Sequence, residues 1–387
     1  MRPVRTCGRG RISGLLAAVC VCAVAGAQDA KVEARLSEGR YLQFLAVGVR
    51  DLSIGDAQQK LAVAFAAGRP LKACLLELNA VGHLATGIPL PLPLPEVEGH
   101  KGMVGEPVAV LFHPKLPLLY LWRRRGAEAA KVDAFAHLVV FDISDVKSLR
   151  VAATSCIGES YQSEVLPSAL ALDPRARRLF LPNLLLRKDA KTFGPALGYL
   201  ALDAQGLPVV KPNAQSAATL VEAGESRLYA SGMGMVALGE NILLTGGWRG
   251  VLYWDTRNRL AAMNGLNFSG LPRDEIYSIA DDRRIYAAAP GTGALRSIRH
   301  VDGYPSLLPE AHQLPNAVFK AKPVLLKGKA PALAIAGDGK IHFAGLTTEG
   351  SFSKSDVDLT VAWLPQGVPP AYSVRFDRLY IPVEGWP

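Results

Sequence analysis

Short runs of alternating apolar residues, broken by polar turns, dominate this chain. The clearest case is 168–182, S-A-L-A-L-D-P-R-A-R-R-L-F-L-P. Leu170 and Leu172 flank Ala171. Asp173-Pro174 then favours a reversal, through the fixed φ of proline and the local hydrogen bonding of aspartate, before Leu179-Phe180-Leu181 begins a second run. The segment predicts a β-hairpin. Near-copies occupy 56–65, 109–122, 235–245, 276–288, 333–344 and 372–382. Aligned on the first apolar residue of the second strand, the seven copies are anchored at Leu61, Leu119, Leu179, Ile242, Ile285, Ile341 and Leu379. The anchors lie about 40 to 60 residues apart, the range of a four-stranded repeat with variable loops.

A second hairpin follows several of the first ones, at 136–153, 197–210 and 250–263. Its leading strand ends in Asp142, Asp203 or Asp255, each read as a turn former. Seven such repeats without long amphipathic helices predict an all-β fold, a seven-bladed β-propeller of four-stranded antiparallel blades. A lone blade leaves two faces unburied, and packing blades around an axis covers them. The last hairpin reaches the C-terminus with almost no chain left. The strand-like segment 40–49 is therefore expected to pair with it and close the ring, which removes an exposed sheet edge. The stretch 88–95, I-P-L-P-L-P-L-P, is expected to cross between the first two blades as an extended linker, because alternating prolines block a sheet ladder.

The copies F-H-P-K-L-P-L-L-Y-L-W and L-D-P-R-A-R-R-L-F-L-P-N, with the strands L-V-V-F-D-I and L-G-Y-L-A-L-D-A-Q-G-L-P-V-V, resemble the seven-bladed propellers of the lactonase and YVTN-repeat type. Phe180-Leu181-Pro182-Asn183 sits where that family's signature would fall. The resemblance covers roughly 108–210. It implies the fold, and as an activity the hydrolysis of a small sugar lactone at the channel mouth, with histidine, arginine and carboxylate side chains activating water and stabilising an oxyanion. A weaker resemblance of A-G-D-G-K-I-H-F to a quinoprotein repeat lacks the tryptophans that mark such blades.

Composition adds a compartment. Arg2, Arg5, Arg9 and Arg11 precede an apolar run over 12–24 and the small residues Ala25-Gly26-Ala27, which predicts a secretory signal, residues 1–27, cleaved after Ala27. The run is shorter than the about 20 residues of a membrane span. Residues 28–387 are then one propeller domain, secreted or periplasmic and not membrane-spanning. Four of the nine excess positive charges belong to the leader and no acid precedes Asp29, so the remainder carries +5. Such a mild imbalance favours solubility and does not call for nucleic acid. Two cysteines remain, Cys74 and Cys156, open to a disulfide or to burial as small apolar residues.

No residue set names a reaction, a cofactor or a metal. No C-x-x-C pair and no Gly-x-Ser-x-Gly elbow is present. Asp281-Asp282 and Gly337-Asp338-Gly339 fall at hairpin turns, and His113 belongs to a His-Pro turn. His100, His300 and His312 are expected in loops between blades, where propellers carry function, and are the ligand- or partner-binding candidates. Arg123 and Arg124 join them. They belong to the densest basic run, Arg123-Arg124-Arg125, which lacks the aromatics of a nucleic-acid platform and reads as a solvated loop. The favoured role is a rigid binding scaffold for a protein, glycan or cell-envelope component, or for a small molecule; lactone hydrolysis is the alternative.

Overall fold

The computed structural model describes residues 41–384 apart from short stretches, chief among them 97–103, 125–131, 162–169, 188–192, 210–218, 223–234, 256–260 and 267–276; across 182–197 and 210–276 it describes backbone alone. The leader with its cleavage point, His100 and Arg125 lie outside the described residues.

The described strands form six hydrogen-bonded sheets around an axis, an all-β propeller of small antiparallel blades, and not the expected seven separate blades. The first sheet holds Val49–Gly55, Lys60–Phe65, Ala73–Glu77 and Leu90–Pro91. The second has eight strands. Glu106–Phe112, Leu118–Arg124, Val132–Asp142 and Arg150–Tyr161 come from one repeat, and Ala171–Asp173, Arg178–Arg187, Phe193–Ala201 and Thr219–Glu222 from the next. The two repeats fuse where Leu184 pairs with Ser160. Arg150–Tyr161 and Arg178–Arg187 run to 12 and 10 residues, so their overrunning edges meet, and an unpaired edge is a template for pairing.

The third sheet holds Met235–Leu238, Ile242–Gly247, Gly250–Asp255 and Ala261–Leu266. The fourth holds Tyr277–Ala280, Arg284–Ala289, Ala294–Val301, Tyr304–Pro305 and Glu310–Gln313. The fifth holds Val324–Leu326, Ala332–Gly337, Lys340–Leu346 and Phe352–Thr360. In the sixth, Ala371–Ser373 and Arg378–Val383 are joined by Tyr41–Leu45, which pairs parallel to Arg378–Val383 with Tyr41 opposite Leu379. The ring closes through its N-terminal strand, as the sequence implies. Each sheet begins with an inner strand. Ala371–Ser373 touches Val49–Gly55, which touches Glu106–Phe112; Ala171–Asp173 touches Met235–Leu238, then Tyr277–Ala280, Val324–Leu326 and Ala371–Ser373 follow in turn.

Two further expectations change. The copy at 333–344 is one strand out of phase: Val324–Leu326 lies inside it, so Leu333, and not Ile341, matches the other anchors, which evens their spacing. The proline-rich stretch is not only a crossing, because Leu90 pairs with Leu75 and Pro91 with Cys74 as the short outer strand of the first sheet. An edge position tolerates the missing N–H of proline.

The second strand of a sheet is buried on both faces, and its alternation assigns each face to a neighbour. Leu61 and Val63 pack with Phe44 and Tyr380 on one side, while Ala62 and Ala64 pack with Val110, Leu119 and Leu121 on the other. Tyr120 and Trp122 then face Leu179, Leu181 and Leu200. The turns are tied as the sequence implies. Asp281 Oδ1 accepts from the backbone N–H groups of Arg283 and Arg284, and Asp203 Oδ1 from those of Gln205 and Leu207. Asp338-Gly339, with φ of 46° and 70°, closes a two-residue hairpin in which a left-handed second position favours glycine. Cys74 is buried in the core, Cys156 is exposed, and no disulfide joins them.

Candidate functional site

At the end of the ring where the inner strands begin, charged residues gather inside the channel mouth. Arg50 is the extra residue of a β-bulge, since Val49 pairs with Phe65 and Asp51 already with Ala64. Bulges re-aim side chains, and here one directs a guanidinium away from the regular ladder. Arg50 Nε is buried with no hydrogen-bond partner among the described residues. Burial, and then the charge of Arg124, hold this guanidinium below its ordinary range, while Glu106 and Asp51 oppose them.

Asp51 is fully buried, and its Oδ2 accepts from the Val110 N–H at 2.8 Å. Two residues on, Ser53 Oγ accepts from Phe112 N–H at 3.2 Å. Together they satisfy donors on the inner edge of the next sheet, which has no further strand to pair with. The same Asp51 charge acts on Lys322, two residues before the inner strand Val324–Leu326. Lys322 keeps part of its surface open although protein surrounds it on most sides. Burial pushes its ammonium down to about 8, with Asp51 resisting.

Arg124 and Glu106 face each other in register across Leu118–Arg124 and Glu106–Phe112. The preceding Arg123 is wholly buried, which overturns the solvated-loop expectation for this run. Its Nη1 donates to the carbonyl of Pro95 and, at 2.7 Å, to that of Val104, and Nη2 reaches the Glu96 carbonyl at 3.5 Å. Burial lowers it to about 10, so it stays charged at neutral pH. Among the described residues its hydrogen-bond partners are backbone carbonyls, so Arg123 anchors the chain entering the second sheet. Gly105 lies against it with φ of 75°, and a Cβ there would come within 2.9 Å of the Arg124 carbonyl oxygen. Arg50, Arg124 and Lys322 thus face two carboxylates, Asp51 and Glu106. Among the described residues this group carries an excess of positive charge in a partly desolvated setting, where charge acts more strongly than in water.

The histidine candidates are elsewhere. His300 lies near the end of the strand Ala294–Val301, not in a loop, and its Nε2 is 2.8 Å from the Asp281 carbonyl oxygen, so it braces a turn. His312 lies in the strand Glu310–Gln313; its Nε2 is 3.1 Å from both carboxylate oxygens of Asp356, and its ring stacks on Phe352 with centroids 4.8 Å apart. Leu295 is the register partner of His312, which puts His300 about 17 Å further along that strand. The structure does not bring them together. His113 is structural, its Nδ1 accepting from the backbone N–H groups of Lys115 and Leu116. Among the described residues no group of three or more His, Cys, Asp or Glu could hold a metal ion.

Sequence reasoning passed over Arg50, Asp51, Glu106 and Lys322. One signal was present: the charged pair Arg50-Asp51 within an apolar strand, where no turn needs it. Lys322 offers none, because a lysine before a short strand reads as surface.

No protein-family model matches the chain, and no curated protein matches it. Among solved structures it is similar to the periplasmic gluconolactonase PpgL of Pseudomonas aeruginosa, with 13% identity over 84% of this chain and 96% of that one and a TM-score of 0.50. It also matches AztD of Citrobacter koseri, at 16% identity over 87% of each chain with a TM-score of 0.46. Hsv2 of Kluyveromyces marxianus matches at 10% identity over 85% of this chain and 88% of that one, with a TM-score of 0.48. At these identities the likeness establishes the propeller fold alone.

Proposed function

We propose that this chain is an exported β-propeller that binds a small anionic molecule at its channel mouth, in the periplasm or outside the cell. The observation that carries the reading is the convergence of Arg50, Arg124 and Lys322 on one mouth, with Arg50 Nε buried and without a partner among the described residues. Holding such cations out of bulk water costs stability unless an anion compensates them. The basic and apolar leader supports export. A protein, glycan or envelope partner would engage the rim loops around the same mouth.

Titration calorimetry with gluconate and citrate tests the reading. Saturable binding that weakens about tenfold in Arg50→Ala and in Lys322→Met is expected, the scale of a charge-assisted hydrogen bond. No saturable binding, or binding unchanged in both variants, would sink it.

Lactone hydrolysis is the second reading. Its support is Lys322, whose lowered range makes it a base near neutral pH with two arginines beside it for a developing oxyanion, together with a fold shared with a gluconolactonase. Turnover of glucono-δ-lactone above the buffer blank, lost in Lys322→Met, would replace binding with catalysis.

A further inference from the structure

A second cluster of cations lies at the opposite end of the molecule. The strand Glu106–Phe112 runs from Glu106 at the channel mouth to the turn that begins at His113, roughly 20 Å away. There a cleft of about 380 Å³ opens between the His113–Leu116 turn and the next repeat of the eight-stranded sheet. That volume falls in the range of small-molecule pockets. Lys115, Arg175 and Arg177 line it, with Leu116 and Leu202 supplying apolar surface. Its acid, Asp203, already has Oδ1 committed to two backbone N–H groups. Among the described residues no ion pair joins Lys115 or Arg177 to an acid.

The wall of this cleft is fixed in place. Gln58, from the first sheet, donates from Nε2 to the carbonyl oxygens of His113 at 2.9 Å and Leu116 at 2.6 Å, and so holds the turn from outside. His113 Nδ1 is an acceptor for two backbone N–H groups, which places the ring proton on Nε2. Burial, and then Lys115, lower the His113 pKa, in keeping with a neutral ring. The neutral His113 ring, three cations and an apolar floor therefore share one preformed cleft.

We propose that this cleft is a binding site for a small soluble phosphomonoester, or a comparably compact dianion, carrying an apolar body. Lys115, Arg175 and Arg177 compensate the charge, and Leu116 and Leu202 receive the body. The proposal is independent of the channel-mouth reading, because the two sites share no residue.

Phenyl phosphate is the probe, titrated calorimetrically into the full chain, with benzyl alcohol as the uncharged control and phosphatidate vesicles as the lipid-borne source of the same group. The Lys115→Ala/Arg177→Ala double variant alters two exposed side chains, and circular dichroism melting checks that it folds. Saturable binding of phenyl phosphate, titrated in the Arg50→Ala background so that the channel mouth does not contribute, is expected to weaken at least about tenfold when the double variant is added. Four results would overturn the proposal: no saturable binding of phenyl phosphate up to about 10 mM, equal affinity in the double variant, equal binding of benzyl alcohol, or association with phosphatidate vesicles alone.

Discussion

Lys322 shows how a single residue's chemistry depends on the ring around it. On a surface its ammonium would titrate far above neutrality; inside the channel, burial brings it down to about 8 and Asp51 limits the fall. Arg50, Arg124 and Glu106 share the mouth, and a guanidinium, unlike an ammonium, does not readily discharge. Anion binding there should therefore weaken as pH rises through about 8, when Lys322 alone among the cations discharges. Affinity for gluconate is expected to fall about tenfold between pH 7 and 9, and Lys322→Arg should flatten the profile, because a guanidinium does not discharge. A wild-type profile as flat as that of the arginine variant would remove Lys322 from the site. Stability moves the other way. The folded protein releases this proton before the unfolded chain does, so between about 8 and 10.5 the unfolded state binds more protons and stability rises with pH. None of this was legible in the sequence, since the burial of Lys322 depends on strands far from it along the chain. The histidines misled for the same reason. Loop or strand, and the partner each ring meets, are decided by tertiary pairing, as His312 with Asp356 shows.

At the scale of the element the sequence was far more informative. Period-two alternation and Asp-based turns marked the anchored hairpins, and local chemistry suffices for that, because turn and strands are adjacent in the chain. What local pattern could not set was phase and edge. The copy at 333–344 has the alternation of a first hairpin while serving as the second and third strands of its sheet, and only the inner strand Val324–Leu326 reveals this. Likewise nothing in 150–187 announces that two repeats will join at Leu184 and Ser160. The N-terminal strand Tyr41–Leu45 was legible because the last hairpin lacks outer partners. Its Leu42 and Phe44 are each 1% exposed and pack with Leu61, Val63 and Tyr380. Phe44→Ala should cost about 3 to 5 kcal/mol, the range for truncating a fully buried phenylalanine, read as a lower midpoint in urea unfolding. A cost within about 0.5 kcal/mol, the surface range, would mean that the strand does not close the ring in solution.

The whole molecule is held by a device that recurs between neighbouring repeats. Tyr120, Tyr286 and Tyr380 occupy equivalent places in second strands, and each hydroxyl donates to the carbonyl of a left-handed glycine in the neighbouring unit: Gly206 at 2.8 Å, Gly350 at 2.9 Å and Gly82 at 2.7 Å. Burial raises the pKa of all three phenols, so each stays a donor. The third hairpin copy has Phe180 at this place and therefore no hydroxyl to offer. Removing one hydroxyl by Tyr→Phe leaves a carbonyl without its partner, at about 1 to 2 kcal/mol each. The three lie in different seams, so the triple variant should lose the sum of the single costs within about 0.5 kcal/mol. The kinetics should separate them. Tyr120 and Tyr286 reach partners 86 and 64 residues away, whereas Tyr380 reaches across 298 residues to tie the last hairpin to the first sheet. Closing so long a loop is a late event in folding, and contacts made after the transition state act on unfolding. Tyr380→Phe should then accelerate unfolding by nearly the whole of its stability loss, about tenfold for each 1.4 kcal/mol, with little change in refolding. The other two variants should divide their loss between the two rates. Stopped-flow chevrons in urea decide the matter: a Tyr380→Phe variant whose loss lies mainly in the refolding limb would mean that the ends meet early and that ring closure nucleates the propeller.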